Sequence, residues 1–164
     1  MPHGFDMYRV FISGPGDLER DRQVCRDAIS AVNETTAMPL KMLLVSVGLT
    51  SDDQIVGYRS AVSENVRQCT YFIQLFEDDW GPKNLFRKTF YFAAECRDDG
   101  GLPMRELVVC LKAAPRETDP EILAFRKELE DLGGIQMIHY ANLAELKELL
   151  LEVCTGWVRS ILPA

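Results

Sequence analysis

No two strand-like segments of this chain lie close enough together to be joined by a hairpin, and that spacing dictates most of its architecture. The segments are Tyr8–Ser13, Leu40–Val47, Thr70–Phe76, Leu107–Lys112 and the shorter Gln136–Tyr140. Between them lie stretches with apolar residues at helical spacing. These are Leu18 to about Glu34, Tyr58–Arg67 with Ala61, Val62 and Val66 inward, and Thr89 to about Asp98. A fourth opens at Asp119-Pro120 and stops near Gly133-Gly134, and a fifth, capped by Asn142, runs to about Ile161. Parallel strands need crossovers of a dozen residues or more, whereas antiparallel neighbours need only two. Right-handed βαβ crossovers therefore predict an α/β fold: a three-layer sandwich with a five-stranded parallel sheet and helices on both faces. The expected strand order is the flavodoxin-like 2-1-3-4-5, which opens a ligand crevice beside strands one and three.

The 164 residues are expected to form one domain over 1–164, with 1–7 as a flexible tail and Ala113–Thr118 as the weakest joint. A formal net charge of −7 argues against gripping nucleic acid, because neutralising phosphates needs a basic face. It leaves room for a small anionic ligand held by local backbone groups. Five cysteines are scattered without paired spacing, so neither a metal site nor a redox motif is expected, and the thiols read as reduced and buried in a cytoplasmic protein. No apolar run approaches the ~20 residues that span a bilayer, and the N-terminus has no signal-peptide core. The expectation is a domain without membrane or nucleic-acid partners.

The crevice is where chemistry is expected. Strand one runs into Gly14-Pro15-Gly16, with Asp17 where a helix N-cap belongs, so free backbone N–H groups gather at the sheet's carboxyl edge. Ser13, Gly14, Gly16 and Asp17 are thus candidate ligand-binding residues, and a tight turn with no ligand is the plainer alternative. No P-loop or dinucleotide-binding glycine fingerprint is present. Of two histidines, His3 lies in the tail and His139 reads as a packed core residue, which leaves no Ser/His or Cys/His nucleophile system. Arg20, Arg22 and Arg26 could reach a phosphate, or simply pair with acids such as Glu19 and Asp27. Tyr91 and Glu95, four apart, share a helical face near Trp80, which could stack on a base or anchor its loop. Cleaving nicotinamide from a ribose passes through an oxocarbenium-like state that one carboxylate can stabilise, with no second acid because the leaving group is neutral. Glu95 is the candidate for that part; the plainer reading is a solvated helix residue like Asp98 and Asp99.

Val10-Phe-Ile-Ser-Gly-Pro-Gly-Asp17, followed by Glu19-Arg20, resembles the V-F-I-S-S-P-G-D opening of a bacterial branch of TIR-like domains still labelled a domain of unknown function. Gly14 departs from it, standing where that branch usually has Ser. The resemblance extends over roughly residues 8 to 140. Catalytic TIR domains carry S-x-W-C-x-x-E, to which Thr89-x-Tyr91-Phe92-x-x-Glu95 is similar. It implies a TIR-like signalling or bacterial-defence domain that cleaves NAD with Glu95 as catalytic residue, NAD being substrate and not cofactor, and Ser13, Gly14, Gly16, Asp17, Trp80 and Tyr91 holding it. The branch often has T-E-x-E at this helix; aligned on Thr89, that register puts Phe90 and Phe92 at the acidic positions and leaves Glu95 without the equivalent role. Two other functions stay open. One is a non-enzymatic self-association module, since this branch is commonly fused to signalling ATPase or repeat segments and this chain would be a fragment or a stand-alone member. The other is an enzyme like the nucleoside deoxyribosyltransferases.

Overall fold

The computed structural model describes residues 4–14, 18–48, 64–77, 85–113 and 120–161. In chain order the elements are β1 (Asp6–Ser13), α1 (Glu19–Val32), β2 (Met42–Gly48), β3 (Tyr71–Phe76), α2 (Leu85–Asp98), β4 (Glu106–Lys112), α3 (Pro120–Leu132), β5 (Ile135–Tyr140) and α4 (Leu143–Ile161). The five strands form one sheet in the order β2-β1-β3-β4-β5, every neighbouring pair parallel. This is the flavodoxin-like arrangement, with helices packed on both faces.

Alternation along each strand divides the interior into two cores. Val10, Ile12, Tyr71, Ile73, Leu75, Val108, Cys110, Ile138 and Tyr140 face α1 and α4. Phe11, Phe72, Phe76, Leu107, Val109 and Leu111 face the other way, against Phe90, Ala93 and Ala94 of α2 and Phe125 and Leu129 of α3. β3 lies at the centre, and all six of its residues are buried, which is why its sequence is a nearly unbroken apolar run. Phe11 and Phe72 stack at 5.4 Å between ring centres on the second face. All five cysteines are buried and free.

Several boundaries differ from the sequence expectation for identifiable reasons. β1 starts at Asp6, inside the expected 1–7 tail, because residues 6 and 7 pair with Met42 and Leu43. The chain does not break at Asn33; the helix widens into a π turn over Asn33–Ala37 and a 3-10 turn over Met38–Leu40. The Asn33 amide then clamps the edge strand: Nδ2 donates to the Leu44 carbonyl and the Leu44 N–H donates to Oδ1, both at 2.8 Å. Backbone groups that an edge strand would leave open are satisfied in this way. The N-cap position of α1 is Leu18, which makes no side-chain cap. Asn142 does cap α4, accepting from the Glu145 N–H at 2.9 Å. α3 closes at Gly133 and Gly134, both at φ +66, a left-handed geometry suited to glycine. His139 is exposed on the edge strand β5, not packed in the core. Residues 64–67 are helical and Val66 is buried as expected, while Ala61 and Val62 lie outside the described residues.

The most consequential difference concerns α2. It begins at Leu85, four residues before the expected Thr89. Everything along the helix is therefore carried farther from the carboxyl edge than the sequence suggested.

Candidate functional site

β1 ends at Ser13 on the carboxyl edge, paired in register with Gln74 of β3. Ser13 lies two residues beyond Phe11 and Gln74 two beyond Phe72, so both side chains share the face on which those rings stack. Paired strands lie about 4.8 Å apart, which makes these side chains neighbours. Ser13 is 2% exposed and Gln74 fully buried. Gln74 Nε2 donates to the Leu75 carbonyl at 3.0 Å, but its Oε1 and the Ser13 Oγ have no hydrogen-bond partner among the described residues. A buried polar atom without a partner costs about 1–3 kcal/mol, and native structures hold only a few. Two stand side by side here, at the point where strand order reverses and α/β sheets bind ligands.

Gly14 has a packing role. A Cβ built there would sit 2.9 Å from the Leu75 Cβ, an atom fixed to the backbone of the central strand. The serine usual in the resembling motif would not fit without a shift. Its carbonyl is also occupied, accepting from Arg22 Nη1 at 2.8 Å. Gly14→Ser should lower folding stability by about 1–3 kcal/mol through overpacking, measured by urea denaturation; an unchanged midpoint would contradict the close approach.

Two of the three arginines of α1, Arg22 and Arg26, are committed elsewhere than to a phosphate, and Arg20 is exposed. Buried Arg22 donates to Glu19 at 2.7 Å as well as to Gly14, and Arg26 donates to Glu19 at 2.9 Å. Burial alone would raise the Glu19 pKa, but hydrogen bonds from Arg26 and Arg22 outweigh it and hold the carboxyl below its usual value. The side-chain pairing is of Gln23 with Asp27, at 2.9 Å.

In the first turn of the same helix, Asp21 is buried and accepts a 2.6 Å hydrogen bond from the Tyr140 hydroxyl, with Lys112 Nζ at 3.5 Å from the same oxygen. Lys112 and Tyr140 are the last residues of β4 and β5, so this cluster ties α1 to the carboxyl ends of two strands. Burial raises the Tyr140 pKa, and the Asp21 hydrogen bond and charge raise it further.

Glu95 lies elsewhere. It sits in the last turn of α2, ten residues from the start, about 15 Å along the axis. Next to it, Cys96 is buried against the second core, and Arg97 Nη1 donates to the carbonyl of Gly133, just before β5 begins. Those contacts belong to the amino edge of the sheet, opposite the Ser13–Gly14 turn. Glu95 is exposed and shares a shallow depression of about 460 Å³ with Arg87, Lys88, Tyr91 and Phe92. The structure thus brings Tyr91 and Glu95 together, as their spacing predicts, but does not bring them to Ser13 and Gly14. Tyr91 is tied to the neighbouring helix. Its hydroxyl donates to Glu128 of α3, and the Arg87 guanidinium sits 5.5 Å from its ring centre and 3.4 Å from Glu128. A water-exposed carboxylate lacks the shielded surroundings that make electrostatic catalysis strong. Gly16, Asp17 and Trp80 lie outside the described residues.

Gln74 and Asp21 were missed by the sequence reading, although both left a signal. Gln74 is the one polar residue in Tyr71–Phe76, and Asp21 falls between Leu18 and Cys25 on the inward spacing of α1. No group of His, Cys, Asp and Glu among the described residues could hold a metal ion, and no described helix is long and apolar enough to cross a membrane. No protein-family model matches the chain, and no curated protein matches its sequence.

Proposed function

We propose that this chain is a TIR-like signalling domain that binds a nucleotide of the NAD class between the carboxyl ends of β1 and β3, with no catalytic part for Glu95. The observation that carries this reading is the adjacent pair of buried, unpartnered atoms, Ser13 Oγ and Gln74 Oε1. An amide oxygen can only accept, so the group that meets Gln74 must bring an N–H or O–H. The carboxamide of nicotinamide and the amino group of adenine both do. The likeness of Val10–Asp17 to the TIR-like opening supports the family, and the position of Glu95 at the opposite edge speaks against the hydrolytic version of it.

Calorimetric titration with NAD, beside an assay of nicotinamide release, tests the proposal. Gln74→Leu should weaken NAD binding about tenfold or more while leaving the melting temperature equal or higher, because it removes an unsatisfied buried acceptor. Glu95→Ala should change neither binding nor release. Loss of release in Glu95→Ala would overturn the non-catalytic assignment. Self-association without nucleotide binding would favour the interaction-module reading.

A further inference from the structure

The two open atoms at the ends of β1 and β3 differ in what they can do. Gln74 Nε2 is spent on the Leu75 carbonyl, which fixes the orientation of the amide and leaves only the acceptor Oε1. The Ser13 hydroxyl beside it is open as well, and a hydroxyl can donate. Together they match a group that presents an N–H and an acceptor side by side. A primary carboxamide has such an edge, and so has the amino side of adenine.

Charge and depth narrow the choice. The buried charged residues among those described, Asp21 and Arg22, both belong to α1 and the opposite face of the sheet. On the face shared by Ser13 and Gln74, Phe11 and Phe72 stack toward the amino edge, and Phe76 lies two residues beyond Gln74, packed on Phe125 at 4.5 Å. A carboxylate or ammonium brought here would lose its water and meet no counter-charge, so the entering group is neutral. β1 stops at Ser13, level with Gln74, while β3 continues to Phe76. Past Ser13 the chain turns toward α1, where the Gly14 carbonyl accepts from Arg22. The step left where β1 ends is therefore deep and tightly bounded, with Ser13 2% exposed and Gln74 fully buried. A carboxamide projects from its ring on a single bond and can reach both atoms while the ring stays at the mouth. Adenine presents its acceptor from within a fused ring, so the same two contacts would require the bicycle itself to enter a close-packed interior.

We infer that the crevice, read as a nucleotide site under the proposed function on which this rests, takes the nicotinamide end of the dinucleotide and not the adenine end. The carboxamide N–H donates to Gln74 Oε1 and the carboxamide oxygen accepts from the Ser13 hydroxyl, while the charged pyridinium ring stays at the mouth, in reach of water. Gln74 is then the residue that tells amide from acid. A nicotinate carboxylate has no N–H to give and would set its charge against the Gln74 oxygen.

Calorimetric titration of the whole chain with three dinucleotides tests this: NAD, its deamidated form with nicotinic acid in place of nicotinamide, and its analogue with hypoxanthine in place of adenine. Deamidation should weaken binding about tenfold or more, because it leaves the buried acceptor unpaired and buries a charge. The hypoxanthine analogue should bind within about threefold of NAD, its changed amino group lying outside the crevice. This series is read on the parent chain and does not depend on the folding of a variant. In Gln74→Leu the preference for NAD over the deamidated form should shrink to within about threefold, whereas general repulsion by an acidic protein would persist. A deamidated form that binds as tightly as NAD would overturn the inference and leave the nucleotide reading of the crevice standing. So would a loss for the hypoxanthine analogue at least as large as that for the deamidated form, or a preference that Gln74→Leu leaves intact. No binding of NAD itself would overturn both.

Discussion

Asp21→Ala is expected to cost about 3–5 kcal/mol of folding free energy, the usual effect of removing one partner from a buried ionic cluster. The carboxylate accepts from Tyr140 and neutralises Lys112, and each partner comes from a different strand end. Without it, a buried phenol loses its acceptor and a part-buried ammonium its counter-charge. For a domain of ordinary stability, about 5–15 kcal/mol, this is a large fraction. The melting temperature should fall by about 10 °C or more. Tyr140→Phe should cost less, about 1.5–3 kcal/mol, because Lys112 still balances the charge. Chemical denaturation of both single variants and the double variant gives the coupling directly. Additive effects would contradict a shared cluster.

The second large effect is alkaline unfolding. Burial pushes the thiols of Cys69 and Cys154 up to about 12 and raises those of Cys25 and Cys110 as well. In the unfolded chain these groups lose their protons at about pH 8.5. Between that pH and the folded values the native state binds more protons than the unfolded one, so stability falls as pH rises. Their contribution is intact below about pH 8.5 and declines above it, by about 1.4 kcal/mol per pH unit for each fully protected thiol. Melting temperature should be nearly flat from about pH 7 to 8.5 and then drop steeply. Native protein should also leave a thiol reagent unconsumed until it unfolds. A flat profile to about pH 10.5, or rapid labelling of the native state, would contradict the burial of these thiols.

The fold was legible because its signals are long-range and redundant. A central strand such as Tyr71–Phe76 must be apolar on both faces, and the gaps between strands exclude hairpins whatever the local details. Boundaries were less legible because they depend on tertiary contacts. Asn33 reads as a helix breaker until its amide is seen holding Leu44 of the edge strand. His139 reads as a core residue until β5 proves to be the sheet's outer strand.

The expected position of Glu95 depended on one of these boundaries. With the helix placed from Thr89, Glu95 would fall in its second turn, near the carboxyl edge. With the helix starting at Leu85, the same residue is in the last turn, at the amino edge. A shift of four residues moves a side chain about 6 Å along the axis. The spacing of Tyr91 and Glu95 was read correctly, because i,i+4 contact is independent of where the helix begins. Gln74 was hidden for the opposite reason: one polar residue barely alters an apolar run, and its value lies in which neighbour the register supplies.

The most direct test follows Gln74 and Glu95 together during one NAD titration by NMR. The side-chain amide of Gln74 and the backbone amide of Ser13 should shift on saturation, while Glu95 and Tyr91 stay unmoved. Shifts centred on Glu95 and Tyr91, with Gln74 unaffected, would contradict a ligand site at the β1–β3 carboxyl edge.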